Sequence, residues 1–141
     1  MQQISQFIIH HWTLWLGLVA ILLAIYINEF LAQKKRAKEL SPQAAIALIN
    51  DNEQTVVIDL RDSDSYRKGH IINAIHATVD DFEHQRLNKY KTAFLILVCS
   101  KGLQSITLAA KLREQGFSHP QVLAGGMNAW QQAALPTVKG K

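Results

Sequence analysis

A single cysteine, Cys99, stands where an apolar run meets a short polar loop. Leu95, Ile96, Leu97 and Val98 precede it, and Ser100, Lys101, Gly102, Leu103, Gln104 and Ser105 follow. The apolar run predicts a buried parallel strand, and Ile106, Leu108, Ala109 and Leu112 recur beyond the loop at helical spacing. The thiol is thereby set between the carboxyl end of a strand and the N-terminus of a helix. The partial positive charge of that terminus and the loop's free N–H groups favour thiolate over thiol, and the thiolate is the nucleophile. Gly102 permits a loop conformation closed to other residues. Ser105 is placed either to cap the helix or to donate a hydrogen bond. Without the loop, a cysteine closing an apolar strand reads as a buried structural residue, since free cysteine is among the most buried types. With it, Cys99 is a candidate nucleophile, and Ser100 to Ser105 form the candidate anion-binding loop.

Other residues with chemical potential are read mainly as support. Lys101 is the loop's only side-chain cation, placed to attract an anionic donor or simply solvated. Asp59, Arg61 and Asp64 follow an apolar strand and fit an ion-pair network at strand and loop ends. His70 follows the turn residue Gly69 and is expected to organise the backbone nearby. Gly125 and Gly126 open a final helix, and Trp130 is read as the core aromatic that packs it, with the mouth of a pocket as its other reading. His10, His11, His76, His84 and His119 have no metal-ligand spacing with Cys99, so neither a metal nor a cofactor is expected.

The elements that must position these groups alternate at short intervals. Ser41-Pro42 has the form of an N-cap with proline in the first turn, followed by a short helix through Ile49. Val56-Val57-Ile58 reads as a strand covered on both faces. Asp62 is set to cap a helix through Tyr66 to Lys68. Ile71, Ile72, Ala74 and Ile75 suggest a second short strand, and Asp80-Asp81 begins an amphipathic helix including Phe82 and Leu87. After the strand ending at Cys99 and its helix, Gly116 supplies a stop, and Gln121 to Leu123 is a last strand. This order predicts an α/β domain with a mostly parallel sheet, in which ligands sit beyond the carboxyl ends of strands.

The 141 residues allow one modest domain, and their apolar content is uneven. From Trp12 to Ile27 there is no charge, and nine residues are Leu, Ile or Val. At about −0.3 to −0.6 kcal/mol each for insertion, they give roughly −3 to −5 kcal/mol, and with flanking apolar residues the segment reaches spanning length. The first eleven residues lack Lys and Arg, unlike the basic start of a cleaved signal peptide. Lys34, Lys35, Arg36 and Lys38 follow, so the positive-inside rule sets the N-terminus outside and the remainder in the cytoplasm of an inner-membrane, single-pass protein. The expected organisation is a short segment 1–11, a transmembrane helix 12–32, a basic linker 33–39, a folded domain 40–138 and a tail 139–141. Net charge is +4, with no basic stripe interleaved with aromatics, so nucleic acid is not an expected partner. The lone cysteine excludes an internal disulfide and agrees with a reducing compartment.

Three signatures in order resemble the rhodanese family of sulfurtransferase domains. Asp59-Leu60-Arg61 with Asp64, Tyr66, Gly69-His70-Ile71 and Ala74 is similar to its Asp-x-Arg, acidic-x-Tyr and Gly-His-Ile-x-x-Ala stretch. Cys99 to Ser105 is similar to its Cys-x-x-Gly-x-x-Ser loop. Gly125-Gly126 with Trp130, then Leu135-Pro136, is similar to its closing Gly-Gly-x-x-x-Trp and Leu-Pro element. The anchor resembles that of membrane-tethered bacterial members. The resemblance implies transfer of sulfane sulfur from a donor such as thiosulfate or a persulfide to a thiol or cyanide acceptor through a persulfide on Cys99. Two departures stand out: Gln104 replaces an arginine frequent before the loop's last serine, and Asp64 replaces a glutamate. The absent arginine removes a cation for an anionic donor. It also argues against a cysteine-dependent phosphatase, whose loop needs a bidentate oxyanion clamp. The competing reading is a tethered scaffold or sulfur carrier that recruits a protein partner to the membrane.

Overall fold

The computed structural model describes residues 10–140, so most of the segment 1–11, and Lys141 of the tail, fall outside it. The chain divides into two units, 1–36 and 37–141. The first holds helix α1, Trp12–Lys35, whose stretch Trp12–Gln33 is long and apolar enough to cross a membrane. Its apolar side chains are exposed along the whole length, from Trp12 and Leu14 to Phe30 and Leu31.

The second unit is a five-stranded sheet in the order β1-β5-β4-β2-β3, all pairs parallel. Its strands are β1 (Lys38–Leu40), β2 (Thr55–Asp59), β3 (Ile75–His76), β4 (Phe94–Val98) and β5 (His119–Leu123). Between and after them lie α2 (Pro42–Asp51), α3 (Ser63–Lys68), α4 (Val79–Glu83), a 3₁₀ turn (Asn88–Tyr90), α5 (Leu103–Glu114) and α6 (Gly126–Gln132). The unbroken apolar run of β4 reflects cover on both faces. Leu95 and Leu97 point into one core with Ile58, Leu108, Leu112 and Val122, while Ile96 and Val98 point into another with Val57, Leu123, Met127 and Trp130. The alternation is that of side chains along any strand.

The local signals at Ser41 and Asp62 act as the sequence implies: Ser41 Oγ accepts from the Ala44 N–H, and Asp62 Oδ1 from the Ser65 N–H. Several expectations need correction. The basic linker 33–39 is not a free linker, since α1 runs to Lys35 and Lys38–Leu40 is an edge strand paired with Gln121 to Leu123. The sheet therefore takes in residues assigned ahead of position 40. Of the residues read as the second short strand only Ile75 joins the ladder, with His76 after it, because Asn73 turns the chain with φ +61°. The helix after Asp80 ends at Glu83, before Leu87, and Gln85 follows at φ +59°. Strand β5 starts at His119 and includes Pro120, a residue that usually argues against an inner strand. β1 begins opposite Gln121, so on that side Pro120 has no ladder bond to lose.

Candidate active site

Cys99 follows the last residue of β4, at the carboxyl edge of the sheet and one residue beyond the Asp59–Val98 pair. The chain then alternates in exposure: Ser100, Lys101, Leu103 and Gln104 face solvent, whereas Cys99, Gly102 and Ser105 are buried. A spacing of three thus gives the loop an inner side bearing the thiol and an outer side of polar and apolar side chains. Leu103, 72% exposed, is the most exposed of the large hydrophobic residues outside α1. Cys99 is 4% exposed, and the Gly102 N–H donates to its Sγ at 3.0 Å. A backbone donor aimed at sulfur stabilises negative charge there without adding a side chain.

Gly102 makes this contact from the N-cap of α5, at φ +92°. A Cβ here would sit 3.2 Å from the Gly125 nitrogen and 3.4 Å from the Leu123 oxygen, so the left-handed backbone is pressed against the β5–α6 turn. Because Gly102 is the cap, Ser105 is not one. Its hydroxyl is fully buried with no hydrogen-bond partner among the described residues.

The turn after β5 completes the loop. Gly125 and Gly126 have φ +70° and +60°, and the N–H groups of Met127 and Asn128 donate to the carbonyls of Cys99 (2.8 Å) and Ser100 (3.1 Å). At Gly126 a Cβ would lie 2.1 Å from the Cys99 oxygen, so only glycine allows this approach.

Asp59 and Arg61 form a buried pair with side chains 1% and 8% exposed and Arg61 Nη2 2.7 Å from Asp59 Oδ2. Arg61 Nε also donates to Asp59, and Nη2 to the Gly69 carbonyl at 2.7 Å. The pair therefore ties the end of β2 to the turn after α3. Asp64 does not join it: this carboxylate is exposed in the first turn of α3, where the helix dipole favours it. His70 is buried, with Nδ1 2.8 Å from the Tyr66 carbonyl and its ring stacked on Tyr66 at 3.8 Å. Its backbone exchanges hydrogen bonds with Val138. His76, stacked more loosely against Tyr66, places Nε2 2.7 Å from the Arg61 carbonyl. Sequence reasoning gives neither Tyr66 nor His76 a supporting role, since their spacing of four and six residues from His70 carries no periodic signal. Burial, with the Asp59 charge second, raises the Tyr66 phenol above its ordinary value, so its hydroxyl stays protonated and donates to the Ala74 carbonyl at 2.6 Å.

Trp130 is core, with Nε1 donating to the Pro136 carbonyl at 3.1 Å. It lines a groove of about 390 Å³ with Ile46, Ile49, Ile71 and Pro136, to which no residue of the Cys99 loop contributes. Trp130 is thus core, as the first of its two sequence readings has it, and this groove is the one it lines.

The family description Rhodanese-like domain matches residues 41–133. Over its full length the chain is 34% identical to the uncharacterized protein YibN of Escherichia coli (strain K12), covering all of both chains. It is 32% identical to the thiosulfate sulfurtransferase GlpE of Coxiella burnetii over 67% of this chain and 87% of that protein. Among solved structures it resembles a thiosulfate sulfurtransferase from Pseudomonas aeruginosa, with a TM-score of 0.65 and 29% identity over 74% of this chain and 20% of the other.

Proposed function

The chain belongs to the rhodanese-like family, and on that premise we propose that it is a membrane-tethered sulfurtransferase with Cys99 as its nucleophile. The observation that carries this reading is the Gly102 N–H held 3.0 Å from Cys99 Sγ, inside a loop whose buried positions are the thiol, the glycine and an unpartnered hydroxyl. In the first step the Cys99 thiolate attacks the sulfane sulfur of a donor such as thiosulfate. A new S–S bond forms at Sγ, the donor's S–S bond breaks, and sulfite leaves with the electron pair. In the second, an acceptor thiolate or cyanide attacks the outer sulfur and the Cys99 thiolate is the leaving group. Division into two displacements through one covalent intermediate is the usual advantage of nucleophilic catalysis.

The persulfide needs donors rather than a counter-ion, since an unpaired buried charge is costly. The loop N–H groups and the Ser105 hydroxyl supply them. Lys101, exposed on the outer side, attracts an anionic donor, and the lack of an arginine at Gln104 leaves it the only side-chain cation between Cys99 and Ser105. Asp59, Arg61 and His70 support the backbone around this edge without touching the reacting sulfur. Helix α1 is the anchor, and Lys34, Lys35, Arg36 and Lys38 orient the sulfur-transferring unit toward the cytoplasm of the inner membrane.

The test is intact mass of the full chain in detergent after incubation with thiosulfate, then with cyanide, beside Cys99→Ser. The parent is expected to gain one sulfur atom and return it as thiocyanate, and the variant to do neither. If the folded parent takes sulfur from neither thiosulfate nor polysulfide, catalysis fails and the tethered scaffold is left.

A further inference from the structure

Two consecutive peptide groups follow the nucleophile, Cys99–Ser100 and Ser100–Lys101. Their carbonyls accept from the Met127 and Asn128 N–H groups at 2.8 and 3.1 Å. No described peptide bond is cis. In a trans peptide the C=O and N–H point in opposite directions, so fixing each carbonyl toward α6 turns the N–H of Ser100 and of Lys101 away from it. The next N–H, that of Gly102, is the one directed at Sγ. Left to itself a short loop samples many peptide orientations, and ordering it costs conformational entropy. Here α6 holds two peptides in one orientation. The approach depends on Gly126, where a side chain would overlap the Cys99 oxygen and the Ser100 carbonyl group.

We propose that the first turn of α6 is the positioning element of the Cys99 loop, the Met127 and Asn128 amides pre-aligning the loop's N–H groups for the charge that develops on sulfur. This rests on Cys99 being the reactive thiol. Pre-alignment matters because donors already in place need no reorganisation when charge appears. Neither amide touches substrate; both act through the loop.

The experiment uses the full chain in detergent and exploits Cys99 being its only cysteine, so that alkylation reports on this thiol alone. Asn128 is exposed and third in α6, inside the first turn, where proline is best tolerated within a helix. Asn128→Pro deletes the N–H, and Asn128→Ala is the conservative counterpart that keeps it. The pH profile of iodoacetamide alkylation is expected to move about one unit to alkaline pH in Asn128→Pro, a tenfold fall in thiolate at a fixed pH below the midpoint. Asn128→Ala is expected to keep the parent profile. A folded Asn128→Pro with the parent's profile overturns the proposal, and so does an equal displacement in Asn128→Ala. If Asn128→Pro does not fold, hydrogen exchange in the parent decides. Coupling between two events is reciprocal, so the protection of the Met127 and Asn128 amides, corrected for intrinsic pH dependence, must rise as Cys99 deprotonates and must not in Cys99→Ala. A flat profile in the parent overturns it. Neither measurement uses a sulfur donor, so the positioning role can fail while sulfur transfer stands, and the reverse.

Discussion

Replacing Arg61 by methionine tests whether the Asp59–Arg61 pair is a structural strut or part of the reaction. The change keeps much of the side-chain length and removes the guanidinium. It deletes the contacts of Nε and Nη2 with Asp59, at 3.0, 3.2 and 2.7 Å, and the contact with the Gly69 carbonyl at 2.7 Å. With its partner gone, the Asp59 carboxylate is 1% exposed with a single N–H remaining, that of Arg61 itself at 3.0 Å. Removing one partner of a buried pair costs about 3–5 kcal/mol, a large share of the ~5–15 kcal/mol that holds a domain together. Most of that loss is the stranded charge, so neutralising it must restore part of the stability. Asp59→Asn combined with Arg61→Met is expected to be more stable than Arg61→Met alone, by about 1–3 kcal/mol. Urea denaturation of the full chain in detergent, followed by near-ultraviolet circular dichroism, measures all four corners of the cycle. The reasoning is refuted by a single-variant loss below about 1 kcal/mol, or by additivity to within ~0.5 kcal/mol. If Arg61→Met instead keeps its stability and loses sulfur transfer, Arg61 acts on substrate and the strut assignment is wrong.

Gly126→Ala must carry a left-handed φ, which costs a residue with a side chain about 1–2 kcal/mol, and must also push the Cys99 carbonyl off Met127; a lower unfolding midpoint together with slower Cys99 alkylation is expected. Ser105→Ala removes a buried hydroxyl that has no partner among the described residues, so thermal unfolding should stay within about 1 kcal/mol of the parent or shift upward. Its persulfide should nevertheless decay faster by mass spectrometry. Asp62 has a carboxyl held below its ordinary value, first by the Ser65 N–H and then by the Ser65 hydroxyl. Because the folded-state value is the lower one, its capping contribution is complete above the ordinary value of 3.8 and disappears as pH falls through the folded value. Thermal unfolding of Asp62→Ala should therefore show a shallower loss of stability than the parent on acidification below pH 3.8.

Legibility in the sequence followed the range of the interaction concerned. The strand before Cys99, the Ser41 and Asp62 caps and the stop at Gly116 depend on neighbours within a few residues, and their residue types announce them. Edge strand β1 did not announce itself, because Lys38-Glu39-Leu40 is a strand only by virtue of its register with Gln121 to Leu123, more than 80 residues onward. The start of β5 at His119 was hidden for a similar reason: whether the missing N–H of Pro120 matters depends on where the neighbouring strand begins. At the site, Cys99 and Gly102 were legible as strand end and loop. The part played by Gly126 was not, since its signal is a distance to a carbonyl 27 positions earlier. Ser105 was ambiguous because capping and donation call for the same residue type, and the place of Gly102 at the N-cap removes only the first.

The final residues of the described chain are stitched to its middle. Val138 exchanges backbone hydrogen bonds with His70, the Gly140 N–H reaches the Arg67 carbonyl, and α6 grips the loop at Cys99. These contacts order the events of biosynthesis. Synthesis proceeds from the N-terminus, at roughly 5–20 residues per second, so α1 and β4 emerge well before the turn that secures the cysteine loop. The thiol's loop consequently meets the backbone partners that α6 supplies only after Met127 and Asn128 have been made. A nascent or truncated product carries the cysteine without the scaffold that directs its chemistry.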